Sequence, residues 1–236
     1  MSKVSMADVM AASYTITEKG LQYLPAPTKK NTALLLIDIQ GLATPEHLAK
    51  KAVAKGLPEA EVNEALADYR KRFTAALGAC KQLLAAARAN GIPPIHVKIE
   101  GLSGDGRDAG FAHKLVQWIL PPGNEASRFL DECKPNPGEI VLTKTVSGAF
   151  TGTILDRVLD HMGIKVLYIA GFVTDECVDT TTRVALDLGY FANVVSDATT
   201  TYYRESYQAV IDKFAGWGIT ISAENAAKTF EVLPEG

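Results

Sequence analysis

Val166-Leu-Tyr-Ile-Ala-Gly-Phe-Val-Thr-Asp-Glu-Cys-Val-Asp-Thr-Thr-Thr-Arg-Val-Ala-Leu-Asp-Leu-Gly189 reads as three pieces in succession. Val166 to Ala170 is a short uninterrupted apolar run, the length and composition of a strand buried on both faces of a parallel sheet. Gly171 breaks the run, and Thr174 and Asp175 are residue types that cap helix N-termini. Val178, Thr181, Ala185 and Leu188 then recur at spacings of three and four, and Gly189 closes the pattern as a C-terminal glycine. The stretch predicts strand, tight turn and helix, with Cys177 in the first helical turn. Unpaired N–H groups and the positive end of the helix dipole favour a thiolate there, so the thiol pKa is expected to fall. The same N–H groups suit an oxyanion formed when that sulfur attacks a carbonyl. A lone cysteine at such a place is equally a small buried hydrophobe.

Working outward, the same alternation recurs. Apolar strands are expected at Ala33–Asp38, Pro94–Ile99, Glu139–Thr143, Phe191–Ser196 and Ile219–Ile221. Between them lie helical patterns over residues 44–56, 59–90, 153–161, 204–215 and 223–230. Thr44-Pro45 supplies the cap and first-turn proline of the first. Such alternation means right-handed βαβ units, and thus an α/β fold with a doubly wound six-stranded parallel sheet and helices on both faces. Residues 1–30 are weakly patterned and read as an N-terminal arm, with 31–236 as one domain. Residues 100–138 form a long irregular stretch, with one short helix expected at 111–119, and a loop of that length is usually functional.

In a doubly wound sheet, sites form beyond the carboxyl ends of the strands. Asp38 follows the first strand, Lys144 the third, and Cys177 the turn after the fourth. An Asp there often caps the next helix, a Lys there is usually a solvated rim charge, and a Cys usually packs. Together, though, every member has a chemical role. The carboxylate is a base for the thiol, and the ammonium relieves repulsion between carboxylate and thiolate.

Composition narrows the function classes. The 236 residues are 47% apolar and 22% charged, enough to bury a full core without staples. A net charge of −3 with no basic block argues against a nucleic-acid partner. Cys80, Cys133 and Cys177 have no metal-ligand spacing, and so sparse a set suggests a reducing compartment. No apolar run approaches a membrane span, so no membrane partner and a cytoplasmic location are expected.

Ala33-Leu-Leu-Leu-Ile-Asp-Ile-Gln40, Leu142-Thr-Lys-Thr-Val-Ser-Gly-Ala-Phe-Thr-Gly-Thr-Ile-Leu155 and Gly171-Phe-Val-Thr-Asp-Glu-Cys-Val178, followed by Gly189-Tyr190 and Asp197-Ala198, resemble the isochorismatase-like cysteine hydrolases over about residues 32–222. That family includes nicotinamidases, N-carbamoylsarcosine amidases, and ureidoacrylate and biuret hydrolases. The resemblance implies an Asp38–Lys144–Cys177 triad, a non-proline cis peptide between Val173 and Thr174, and assembly as a homo-oligomer, dimer or tetramer. True isochorismatases lack the Cys, so vinyl-ether hydrolysis is not expected. Metal-binding nicotinamidases carry a histidine cluster after the second strand. Here His96-Val-Lys-Ile-Glu100 stands there, with His47, His113 and His161 scattered elsewhere, so His96 is expected to be structural and no metal is predicted. Gly41-Leu-Ala-Thr44 also departs from the family's usual Asp-Phe pair.

The expected chemistry is cofactor-free acyl transfer through a thioester, cleaving a C–N bond of a small linear amide or ureide of N-carbamoyl, biuret or ureidoacrylate type. N–H groups at Thr174 and Cys177 would hold the oxyanion. Gln40 and Phe150 are candidates to line the pocket, though a loop cap and a core residue are the plainer readings. Arg107 offers a planar fork for a carboxylate or ureido oxygens, unless it pairs with Asp105 or Asp108 in solvent. Lys98 is placed to share such an anion, and Tyr202 and Tyr203 to donate hydrogen bonds. A metal-free nicotinamidase-like ring amidase would instead use Phe150, Tyr202 and Tyr203 as an aromatic clamp. A catalytically silent α/β binding or scaffold protein would not bring the triad together.

Overall fold

The computed structural model describes residues 4–13 and 16–236. Six strands, β1 (Thr32–Ile37), β2 (Pro94–Ile99), β3 (Ile140–Lys144), β4 (Val166–Phe172), β5 (Phe191–Thr200) and β6 (Thr220–Ile221), form one sheet in the order β3-β2-β1-β4-β5-β6. Every neighbouring pair is parallel. β1 and β4 are buried along their whole length, which is why both read as continuous apolar runs.

Successive side chains of a strand alternate between the faces of a sheet, and β1 divides accordingly. Leu34 and Leu36 join a core built with the helices α5 (Ala67–Ala89) and α10 (Ala223–Val232). Ala33, Leu35 and Ile37 join the opposite core, built with α7 (Leu155–His161), α8 (Asp179–Asp187) and α9 (Arg204–Gly216). Each leucine buried this way contributes about 1.5–3 kcal/mol relative to exposure. The chain leaves β1 toward one face and β4 toward the other, so the strand order reverses between them. A crevice opens at their carboxyl ends, the switch point of the sheet.

The remaining helices are α1 (Met6–Ser13), α2 (Glu18–Leu21), α3 (Pro45–Ala54), α4 (Glu59–Ala65) and α6 (Phe111–Leu115). Thr44 caps α3 as expected, its Oγ1 accepting the His47 N–H at 3.1 Å. The pattern over 59–90 is two helices rather than one, separated at Leu66, whose N–H turns back onto Glu64 and Val62 carbonyls. Neither glycine nor proline marks that break. β5 runs four residues past its predicted end, because a register shift lets Thr199 and Thr200 pair with Gly171 and Phe172. No helix among the described residues is long and apolar enough to cross a membrane.

Candidate active site

Asp38 leaves β1 with φ +49°, a left-handed conformation that Asp tolerates better than most residues. Its N–H donates to the Val97 carbonyl at 2.9 Å, and its own carbonyl accepts from Gln40 at 2.8 Å. These bonds turn the carboxylate into the crevice, where it is 2% exposed. Lys144 ends β3, two strands away. Adjacent strands are about 4.8 Å apart, so only a long side chain reaches back across β2. The Lys144 Nζ lies 2.6 Å from Asp38 Oδ2, donates to the Val146 carbonyl at 3.0 Å and reaches Cys177 Sγ at 3.4 Å. An ammonium has three N–H donors, and these three partners engage them all. The structure therefore brings Asp38, Lys144 and Cys177 together.

Cys177 sits differently from the expected cap. Residues Thr174–Val178 wind as a single π turn before α8 begins, a form often found at functional sites. Glu176 and Val178 both donate to the Val173 carbonyl at 3.3 Å. Thr174 does not cap a helix: its buried hydroxyl meets Thr199 Oγ1 at 2.8 Å. One Asp175 carboxylate oxygen is buried without a hydrogen-bond partner. The non-proline cis peptide joins Phe172 and Val173, not Val173 and Thr174. β4 extends two residues beyond Ala170, so the chain leaves the sheet at the Phe172–Val173 junction.

Burial governs the electrostatics. It pushes the Cys177 thiol well above the usual range, against the pull of Lys144 and with the help of Asp38, reversing the fall expected from the helix dipole alone. Burial likewise raises the Asp38 carboxyl, with Lys144 opposing. Burial would lower the Lys144 pKa, but Asp38 and Cys177 outweigh it and hold the ammonium charged. The resting trio is thus a carboxylate–ammonium pair beside a protonated thiol. The Asp38 carboxyl faces both the Lys144 ammonium and the Cys177 thiol, so the thiol proton has an acceptor at hand.

The crevice above the trio is narrow, about 20 Å³, and is walled by Leu42, Ala43, Ile99, His113, Trp118, Phe172, Val173, Glu176 and Tyr202. It opens into an outer basin that shares His113, Trp118, Glu176 and Tyr202. Two side chains of α5 fasten the walls. Tyr69 Oη donates to the Ala43 carbonyl at 2.7 Å, and its ring stands 5.3 Å from that of Tyr202. Arg72 donates to the carbonyls of Thr201 at 2.5 Å and Tyr202 at 2.9 Å.

The other proposed site residues fare unevenly. Tyr202 and Val173 line the crevice. Gln40 does not: it is fully buried, with Nε2 on the Ile99 and Ser127 carbonyls and Oε1 on the Ile99 N–H, so its amide joins β2 to the 125–130 segment. Phe150 stacks on Tyr190 in the core on the α7–α9 side of the sheet. Arg107 points into solvent and pairs with Asp105 at 3.1 Å, because its loop turns it outward. Lys98 is held by Glu100 at 2.6 Å, and Tyr203 is 70% exposed. His96 is a buried strand residue with Nε2 3.0 Å from Glu139 Oε2. Among the described residues, no group of three or more His, Cys, Asp or Glu side chains has the arrangement to hold a metal ion.

Sequence reasoning missed His113, Trp118 and Glu176. The helix expected at 111–119 stops at Leu115, so His113 lies on the five-residue α6 and Trp118 in the loop after it, too short a run to say which side chains face inward. Glu176 did have a signal, as an ionisable residue beside the nucleophile.

A family model for the isochorismatase domain matches residues 32–225. A ureidoacrylate amidohydrolase RutB of Rhizobium rhizogenes is 26% identical, over 92% of this chain and 94% of its own. Among solved structures, a cysteine hydrolase from Pseudomonas syringae pv. phaseolicola superposes with a TM-score of 0.71 at 20% identity, over 88% of this chain and 95% of that one. N-carbamoylsarcosine amidase from Thermoplasma acidophilum gives a TM-score of 0.60 at 21% identity, over 82% and 97%.

Proposed function

The chain belongs to the isochorismatase-like cysteine hydrolase family, and we propose that it is an amidohydrolase cleaving a C–N bond of a small amide or ureide through a thioester. The observation that carries this reading is one buried ammonium within reach of both a carboxylate and a thiol, in a crevice walled on its other sides. Asp38 takes the thiol proton as Cys177 sulfur attacks the carbonyl carbon. Backbone N–H groups at Thr174 and Cys177 receive the developing oxyanion. The C–N bond breaks, and ammonia or an amine leaves with the proton that Asp38 held. Asp38 then takes a proton from water as the hydroxide attacks the thioester, releasing the acid and restoring the thiol. Burial raises the Asp38 carboxyl above its ordinary value, which makes it a better proton acceptor than an exposed carboxylate.

A second reading has specific support. Trp118, Tyr202 and Phe172 wall the crevice with rings, as a flat aromatic amide would require. With Arg107 in solvent, the linear-substrate preference loses its main residue. Ammonia release from nicotinamide and from carbamoyl compounds at equal concentration separates the two.

The nucleophile is tested by Cys177→Ala. Ammonia release should fall by at least about a thousandfold with an unchanged circular dichroism spectrum, as removal of a covalent nucleophile does. Near-normal turnover in that variant would sink the thioester mechanism.

A further inference from the structure

We infer that this crevice selects uncharged or cationic substrates against carboxylates, and that Glu176 is the residue that sets the selection. The inference deepens the amidohydrolase reading and rests on it for the word substrate.

Charged side chains of both signs face the crevice. Asp38 and Glu176 line it, and Lys144 stands at its floor. The Lys144 ammonium and the Asp38 carboxylate neutralise each other at 2.6 Å. The remaining Lys144 donors are held by Val146 and Cys177, so none is left for a substrate anion. That leaves the Glu176 carboxylate at the mouth, with no lysine or arginine within ion-pair distance among the described residues. Asp175 adds a second carboxylate to the wall of the outer basin, one of its oxygens buried without a partner.

The nearby cations are turned to other tasks. Arg72 holds the Thr201 and Tyr202 carbonyls and Asp68. Lys51 lies over the Trp118 ring at 5.0 Å. Arg107 pairs with Asp105 in solvent, Lys114 donates to the Arg107 carbonyl, and Lys98 is paired to Glu100. His113 lines the crevice, and its Nδ1–H donates to the Thr145 carbonyl at 3.2 Å, which leaves Nε2 as its other ring nitrogen.

An amide or urea N–H entering here meets the carboxylate oxygens of Glu176 as acceptors, with those of Asp38 beneath them. A carboxylate finds no lysine or arginine free to pair with it among the described residues, and meets the Glu176 carboxylate of its own sign. A few ångströms from a partly screened charge, that repulsion amounts to roughly a tenfold discrimination.

The test uses the thiol as its own reporter. Iodoacetamide and iodoacetate are similar in size and differ in charge, and Cys80 and Cys133 are buried in the core. The ratio of their alkylation rates at Cys177 is compared with the ratio for a small free thiol in the same buffer. We expect iodoacetamide to be favoured at Cys177 by about tenfold more than at the free thiol. Glu176→Gln should bring the excess down about three- to tenfold, and molar salt should narrow it in the wild-type protein. Equal or greater preference for iodoacetate, or an excess that neither Glu176→Gln nor salt moves, overturns the inference.

Hydrolysis of three ureas of matched size then separates this idea from the one beneath it: N-carbamoylglycine, 2-hydroxyethylurea and 2-aminoethylurea. The neutral and cationic members should be cleaved at least about tenfold faster than the anion. Preference for N-carbamoylglycine by a protein whose Cys177→Ala variant is inactive would overturn charge selection alone. Absence of Cys177-dependent hydrolysis of any amide, with the alkylation ratio as expected, would overturn the amidohydrolase reading alone.

Discussion

A single ammonium serves two acidic groups at the floor of the crevice, and its removal separates its roles. Lys144→Met leaves the Asp38 carboxylate buried without its partner, so a loss of about 3–5 kcal/mol in urea unfolding is expected. The pH profile shows the other role. Burial already holds the Cys177 thiol above its ordinary value, and Lys144 pulls it down. Without Lys144 the thiol gives up its proton at still higher pH. Iodoacetamide alkylation near pH 8 should slow about tenfold for each unit of displacement, with the whole profile moved to alkaline values. A profile that stays in place would leave Lys144 a structural role only. The direction of the thiol pKa shows what a sequence conceals at this scale. Position at a helix start argues for a fall, but depth beneath the surface decides the sign, and depth is a property of everything packed around it.

At the scale of elements, β4 reaches β1 at one unusually close point. Gly171 has φ +121°, and a Cβ there would overlap the carbonyl oxygen of Ile37. Gly171→Ala combines that clash with an unfavourable backbone region and should cost about 3 kcal/mol or more, read as a lowered thermal midpoint. Because Ile37 precedes Asp38, activity should fall further than stability alone accounts for; a stable, fully active variant would show the approach to be slack. A second joint ties α5 to the start of β3. Glu139 accepts both forks of Arg88 at 2.7 and 2.8 Å, with His96 and the Asn136 N–H beside them. Arg88 foremost holds its carboxyl down to about 2, from an ordinary value of 4.5. A carboxyl lowered by folding adds stability that is fully present above about pH 4.5 and disappears as the pH falls toward 2. Glu139→Gln should therefore cost about 1.5–3 kcal/mol at pH 7, and the gap from wild type in urea unfolding should close in acid. A gap independent of pH would assign Glu139 a shape role instead.

Across the whole molecule, what was legible followed from repetition. β1 and β4 declare themselves because strands covered on both faces must be apolar throughout, and alternation with amphipathic helices then fixes the doubly wound sheet. Asp38, Lys144 and Cys177 were readable because that topology puts the strand ends on one side. The crevice walls were not. His113 comes from the five-residue α6 and Trp118 from the loop after it, and Tyr202 is positioned by Arg72 and Tyr69 from a helix 130 residues earlier in the chain. Gln40 and Arg107 misled because residue type tells what a side chain is able to bind, while direction is set by its neighbours. The same assembly buries all three thiols. Cys80 gives its S–H to the Ala198 carbonyl at 3.0 Å, Cys133 is wholly enclosed, and Cys177 meets the outside only through the crevice. The protein therefore carries its own gauge of foldedness. A sulfhydryl titration should count one slow group while the sheet is intact and three fast ones once it opens, so oxidative cross-linking in storage is a symptom of unfolding.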